Sequence, residues 1–218
     1  LEAIAYAYDE MARVPRTAHW SKPQGKGEPI ELDKSFRIVP RGVSLVIGCA
    51  TFPTWNGYPA IFASLATGNS VIVKPHPGAI LPLAITVKIG REVLKAAGFD
   101  PNVLMLAPDD AEAPIAQELV AHPGVAIVDF TGSPAFGQWV RENAATGLVY
   151  TEEAGINSIV IDSTDDFRGM CGNIAFSLSL YSGQMCTAPQ NIFVPAGGIE
   201  TNDGHKSYDE GAAGIATA

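Results

Sequence analysis

Four short, strongly apolar runs constrain this chain more than any other feature. They are Val43-Ser44-Leu45-Val46-Ile47-Gly48-Cys49-Ala50, Val71-Ile72-Val73, Val103-Leu104-Met105-Leu106 and Val125-Ala126-Ile127-Val128-Asp129-Phe130. The first is almost wholly apolar, as a strand buried on both faces of a parallel sheet must be. Between the runs lie segments of helical period. Residues 60–67 close on Gly68-Asn69, a helix C-terminal signal. After Val73, Pro82 falls near a first turn, and Leu83, Val87, Gly90, Leu94 and Ala97 share one face before Gly98 stops it. Residues 115–121 and 134–145 are further helices, and 147–150 and 159–161 later strands. Strand–helix alternation of this kind specifies an α/β fold with a parallel sheet.

The flanks differ. Leu1, Ile4, Ala5, Tyr8 and Met11 fall at helical spacing. Residues 16–40 are polar and broken by Pro23, Gly25, Gly27, Pro29 and Pro40. They form an exposed excursion or edge hairpin, with Ile30-Glu31-Leu32 and Phe36-Arg37-Ile38-Val39 as strands around Asp33-Lys34. The last eight residues, from Gly211, open another helix, and the chain reads as an excised piece of a longer protein. A net charge of −9 argues against nucleic acid or an anionic membrane as partner. No apolar run reaches the ~20 residues that span a bilayer, and no signal peptide is evident. The three cysteines, Cys49, Cys171 and Cys186, suggest neither a disulfide framework nor a metal site, so a reducing, cytoplasmic setting is expected.

In parallel sheets, ligands bind beyond the carboxyl ends of the strands. After the first run stands Phe52-Pro53-Thr54-Trp55-Asn56-Gly57-Tyr58-Pro59. Trp55 suits a core or a pocket wall, and Asn56 a turn, a helix cap or an amide donor to an oxyanion. After the second stands Lys74-Pro75-His76-Pro77. Lys74 is placed to meet a phosphate or ribose, or is solvated before a turn; His76 reads as a surface residue. After the fourth, Thr131-Gly132-Ser133-Pro134 leads to Gly137. Gly132 permits close backbone approach, and Ser133 caps a helix whose N-terminus either binds phosphate or is merely capped. Glu152-Glu153 precedes Ala154-Gly155 and is a solvated pair or a general base at a site floor. Ser182-Gly183-Gln184-Met185-Cys186 puts Cys186 on a loop feeding the strand Asn191-Ile192-Phe193-Val194. Cys186 is a packed small residue or a nucleophile.

Thr54-Trp55-Asn56, Val73-Lys74-Pro75, Phe130-Thr131-Gly132-Ser133 with Gly137, Glu152-Glu153-Ala154-Gly155 and Gly183-Gln184-Met185-Cys186 stand in this order, with Cys186 34 positions after Glu152. Together they resemble the aldehyde dehydrogenase superfamily over nearly the whole chain. Phe52 to Pro59 and Lys74 to Pro77 resemble its phenylacetic acid degradation branch. The resemblance implies a Rossmann-like NAD(P)-binding domain over 1–154 and the start of a second α/β catalytic domain over 155–218. It implies a homo-oligomeric full-length protein, a small aldehyde substrate, NADP or NAD as cofactor, and no metal.

The implied roles are Cys186 as nucleophile, Glu152 as the base that hydrolyses the thioester, and Asn56 with the Cys186 N–H as oxyanion donors. Trp55, Lys74, Gly132, Ser133 and Gly137 would form the cofactor site. The chain departs from the family pattern in places. Thr54 stands for Pro, the Asn56-to-Lys74 interval is short, and Glu153-Ala154 replaces Leu-Gly, which leaves Glu153 as the alternative base; spacing favours Glu152. Pro77 occupies the position of a frequent ribose-binding carboxylate. NADP is therefore expected to be accepted at least as well as NAD, unless Asp109 or Asp110 approaches the ribose. A CoA-acylating dehydrogenase and a catalytically silent nucleotide-binding domain are the rival readings.

Overall fold

The computed structural model describes residues 2–13, 16–145 and 147–218. These form two compact units, one ending at Glu152 and the other running from Glu153 to Ala218. The first holds α1 (Glu2–Arg13), β1 (Thr17–Lys22), β2 (Ile30–Ser35), β3 (Val43–Ile47), α2 (Pro53–Ala66), β4 (Ser70–Lys74) and α3 (Ile80–Ala96). It continues with β5 (Leu104–Leu106), α4 (Ala116–Ala121), β6 (Val125–Gly132), α5 (Pro134–Asn143) and β7 (Val149–Glu153). The second holds β8 (Asn157–Val160), β9 (Ser163–Thr164), α6 (Phe167–Ser179), β10 (Pro189–Phe193), β11 (Ile199–Thr201), β12 (Gly204–Lys206) and α7 (Tyr208–Thr217).

The main sheet has the order β5-β4-β3-β6-β7. β3 pairs in parallel with β4 and with β6, and β4 with β5. This is the doubly wound, Rossmann-like arrangement. Its strand order reverses at β3, so the ligand crevice opens beyond the carboxyl ends of β3 and β6. Burial explains why β3 is almost wholly apolar. Leu45 and Ile47 pack with Val120, Val128, Phe130 and Val140 on one face. Val46 packs with Ile61, Val71, Val73, Leu83, Val87 and Leu104 on the other.

Several local expectations are corrected. The helix expected over 60–67 starts earlier: α2 begins at Pro53 and continues through Pro59 to Ala66. Pro53 suits the first helical position, where no N–H is needed, and the second proline is carried inside the helix. In the excursion, β2 pairs antiparallel with β1 rather than with 36–39. The Pro/Gly cluster at 23–29 makes the connection, and Asp33-Lys34 lie within β2. His19 bridges the strands, with Nε2 2.7 Å from Glu31 and Nδ1 2.9 Å from Asp33. In α1 the face expected from the spacing is displaced. Ala7 is buried and Met11 half-buried, whereas Ala5 and Tyr8 are exposed; Leu1 and the Ile4 side chain lie outside the described residues. β6 runs two residues beyond Phe130, and β7 extends through Glu152 and Glu153, which do not follow the strand but belong to it.

In the second unit β8 and β10 are parallel, and β11 joins β9 and β12. Its core gathers Ile161, Ile174 and Ile199. α7 starts at Tyr208, earlier than expected, because Ser207 and Glu210 form a reciprocal capping box. Among the described residues no helix is long and apolar enough to cross a membrane.

Candidate active site

At the end of β3 the chain turns into α2, whose first turn carries Trp55 and Asn56. Trp55 is 74% exposed, which removes the core-packing reading. Asn56 is half-buried, and its Oδ1 accepts from Cys49 Sγ at 3.8 Å. This weak contact assigns the carbonyl end of the amide to Cys49 and leaves Nδ2 as the donor end.

Lys74 closes β4 and is not solvated. Its side chain is 6% exposed, and Nζ lies 2.7 Å from Oδ1 of Asp109, itself 1% exposed. Asp109 Oδ2 accepts from the Ile115 N–H at 3.1 Å. Oδ1 has no donor in hydrogen-bond geometry among the described residues, so its contact with Lys74 is one of charge. Ala107 N donates to Val73 O at 2.8 Å, tying the segment that carries Asp109 to β4. His76 is exposed, and its Nδ1 accepts from Gly78 N.

At the end of β6, Gly132 is required by packing. A Cβ there would stand 2.6 Å from the Phe130 ring. Ser133 caps α5, accepting from Phe136 N at 3.3 Å, and Pro134 takes the first helical position. Gly137 is buried on α5. The first turn of α5 holds no acidic residue, which leaves the positive end of its dipole without a fixed countercharge there.

Thr151 accepts from Arg141 of α5 at 2.8 Å. Strand alternation therefore turns Tyr150 and Glu152 to the opposite face. There a groove of about 480 Å³ is lined by Asp129, Tyr150, Ser44, Ala60 and Ala63, among others. Burial, and secondarily the charge of Glu152, pushes the Asp129 carboxyl up to about 6.

Cys186 lies in the second unit, in the turn before β10, half-buried. Asn157, at the start of β8, holds this turn: its Nδ2 donates to the Cys186 carbonyl at 2.6 Å and to that of Ala188 at 3.2 Å. Upstream, Tyr181 and Ser182 have φ of 49° and 59°, followed by Gly183 at 71°. Left-handed backbone costs an L-residue roughly 1–2 kcal/mol, so the turn is held in shape at a cost. Cys49 sits beyond the end of β3, half-buried, and not within a buried strand. Cys171, on α6, is the buried thiol at 3% exposure, and burial pushes its pKa up.

Because the thiolate is the reactive form, iodoacetamide should modify Cys186 first and Cys171 last. Peptide mapping of a time course checks this, and equal rates at all three in the folded protein would contradict it.

Asn157 and Asp129 enter the site only through the structure. Asp109, which the sequence offers merely as a residue that could approach the ribose, proves to be the buried partner of Lys74. A usable signal for it exists: it lies just past the third apolar run, where the same carboxyl-end rule applies.

The model of the aldehyde dehydrogenase family matches residues 3–201. The chain is 60% identical to an NAD-dependent aldehyde dehydrogenase from Burkholderia multivorans, with a TM-score of 0.83, covering 99% of this chain and 39% of that one. It is 26% identical to the NADP-dependent glyceraldehyde-3-phosphate dehydrogenase from Bacillus halodurans in complex with NADP, with a TM-score of 0.71, covering 98% of this chain and 42% of that one. Aldehyde dehydrogenase LUC3 of a Fusarium species is 33% identical over 175 residues, which is 78% of this chain and 35% of that protein. The chain thus spans between about a third and two fifths of the length of these relatives.

Proposed function

Because the chain belongs to the aldehyde dehydrogenase family, we propose that it supplies the cofactor site and nucleophile for NAD(P)-dependent oxidation of an aldehyde to a carboxylic acid. The observation that carries this reading is the Cys186 turn, a half-exposed thiol whose own carbonyl is fixed by Asn157 at 2.6 Å. The two bonds from Asn157 fix the peptide planes that follow Cys186 and Ala188, and with them the turn that carries the thiol.

The residues in the crevice fit a dinucleotide. Lys74 at the end of β4, the Gly132 cradle at the end of β6 and an α5 N-terminus free of acidic residues in its first turn are the groups its ribose and phosphates require. Lys74 would hold the ribose, and Gly132 and Ser133 the pyrophosphate. Gly137 lets α5 pack closely, and Trp55 offers an exposed wall. Bound NAD(P) supplies the hydride acceptor.

The chain's own residues perform the rest. The Cys186 thiolate adds to the aldehyde carbonyl, and the electron pair of the C=O moves to oxygen. Asn56 Nδ2 and the Cys186 N–H donate to that oxyanion. After oxidation to the thioester, Glu152 takes a proton from water as it attacks, and the thiolate departs. On the same resemblance of Phe52 to Pro59 and Lys74 to Pro77, we assign the chain to the phenylacetic acid degradation branch, with an aldehyde of aromatic catabolism as substrate.

Glu152→Gln should leave acylation fast and slow deacylation by about 10²-fold or more, giving a burst of NAD(P)H before a slow steady state. Stopped-flow absorbance on the purified protein with a panel of aryl and aliphatic aldehydes tests it. A burst in Glu153→Gln alone would move the base by one residue. An acyl-CoA product would replace the hydrolytic reading with the acylating one. Cofactor binding without turnover of any aldehyde would reduce the chain to a nucleotide-binding domain.

A further inference from the structure

The buried Lys74–Asp109 pair bears directly on which dinucleotide the crevice admits. Considered alone, Lys74 is a cation at a strand end and Pro77 removes a carboxylate, so a 2′-phosphate would be attracted. The buried contact reverses that balance. Asp109 lies 2.7 Å from Nζ, and both side chains are almost wholly removed from water. An anion brought to Lys74 meets the carboxylate over nearly the same distance, so attraction and repulsion largely cancel. Breaking the pair to free the ammonium would strand a buried carboxylate, which is strongly unfavourable.

The surrounding charge has the same sign. Asp110 and Glu112 follow in the same exposed segment, and Asp110 Oδ1 accepts from the N–H groups of Glu112 and Ala113, which fixes the segment's turn. His76, also exposed, has Nδ1 engaged by Gly78 N. Three carboxylates therefore stand against one lysine.

We propose that Asp109 is a specificity-determining positioning residue, acting through Lys74, that makes this chain prefer the dinucleotide lacking a 2′-phosphate. The inference rests on the cofactor reading above. A ribose hydroxyl carries no charge and can accept from the lysine whatever its countercharge, whereas a phosphate is repelled by Asp109 and by the acidic segment that follows it.

The test is equilibrium titration of the purified protein with NAD and with NADP, followed by quenching of protein fluorescence, at two salt concentrations. The parent should bind NAD at least about tenfold tighter than NADP, a difference of about 1.4 kcal/mol, and the ratio should narrow at high salt as exposed charges are screened. Asp109→Asn should bring NADP affinity up at least tenfold while changing NAD affinity less than threefold. Asp109→Glu should keep the parent's ratio. A loss of structure would weaken both cofactors alike and leave the ratio unmoved.

A parent that binds NADP as tightly as NAD overturns the inference without any variant. So does an unchanged ratio in folded Asp109→Asn. Failure of both cofactors to bind would overturn the cofactor reading itself, and the inference with it.

Discussion

Cys186→Ser is expected to lower aldehyde oxidation by at least about 10⁴-fold, in line with the loss of a covalent nucleophile elsewhere, and to leave dinucleotide affinity unchanged. The alcohol is not ionised near neutrality, and an alkoxide is a far poorer leaving group than a thiolate, so both addition and release of the acyl group fail. The two other thiols provide internal controls. Cys49→Ser keeps turnover within a few-fold, since the side-chain contacts of Cys49 among the described residues are weak, 3.8 Å to Asn56 Oδ1 and 3.9 Å from Thr51 Oγ1. Cys171→Ser acts on stability rather than chemistry. Its Sγ is buried where α6 meets α7, 3.2 Å from where a Cβ on Gly214 would stand, and a hydroxyl there lacks water. Steady-state rates and cofactor titrations on the three variants separate these outcomes. Activity within tenfold of the parent in Cys186→Ser would remove the nucleophile assignment.

Asp129→Asn stabilises the protein above pH 7 and removes a pH dependence that the parent should show. Unfolded, the carboxyl titrates near 3.8; folded, burial and the Glu152 charge raise it to about 6. Between these values the folded state retains a proton that the unfolded state has lost. Stability is therefore greatest below about pH 3.8 with respect to this group, falls as pH rises toward about 6, and stays low above it. The rise of the carboxyl from 3.8 to about 6 costs about 3 kcal/mol at most at high pH. Asparagine keeps the shape without the charge, so a gain of about 2 kcal/mol at pH 8 is expected, vanishing near pH 4. Denaturant melts of both proteins at several pH values measure it. Parallel curves would show that Asp129 is relieved by some other means in the folded state.

The main sheet was legible because its strands are buried on both faces, and only continuous apolar runs satisfy that requirement. β3 and β6 declared themselves this way. In the second unit only β8, β10 and α7 left such a signal. α6 carries Gly169, Gly172, Asn173, Ser177 and Ser179, a composition of low helical propensity. It is held by an Asp166 cap, by burial of Cys171 and Ile174, and by contacts made across the chain. β11 and β12 are three residues each, and β12 is polar; pairing, not pattern, makes them strands. In the candidate site, residues on strand ends were visible by position. The parts played by Asn157 and Asp109 were not, because their significance lies in partners distant in sequence, the Cys186 carbonyl for one and the Lys74 ammonium for the other. Asn56 is visible as a residue but not in its setting: the helix read over 60–67 begins at Pro53 and carries Gly57 and Pro59 within it.

Gly132 and Phe130 form a couple in the space of neutral change. Any side chain at 132 meets a ring that cannot swing away, since Phe130 is 5% exposed and stacked edge-on against Phe136. A lineage can leave glycine at 132 only after the ring at 130 has shrunk, and a smaller residue at 130 opens a cavity in the core beneath the crevice. The single-step neighbours on both sides are thus less stable than the starting point. Drift at this corner is slow for reasons of packing alone, whatever ligand the crevice holds.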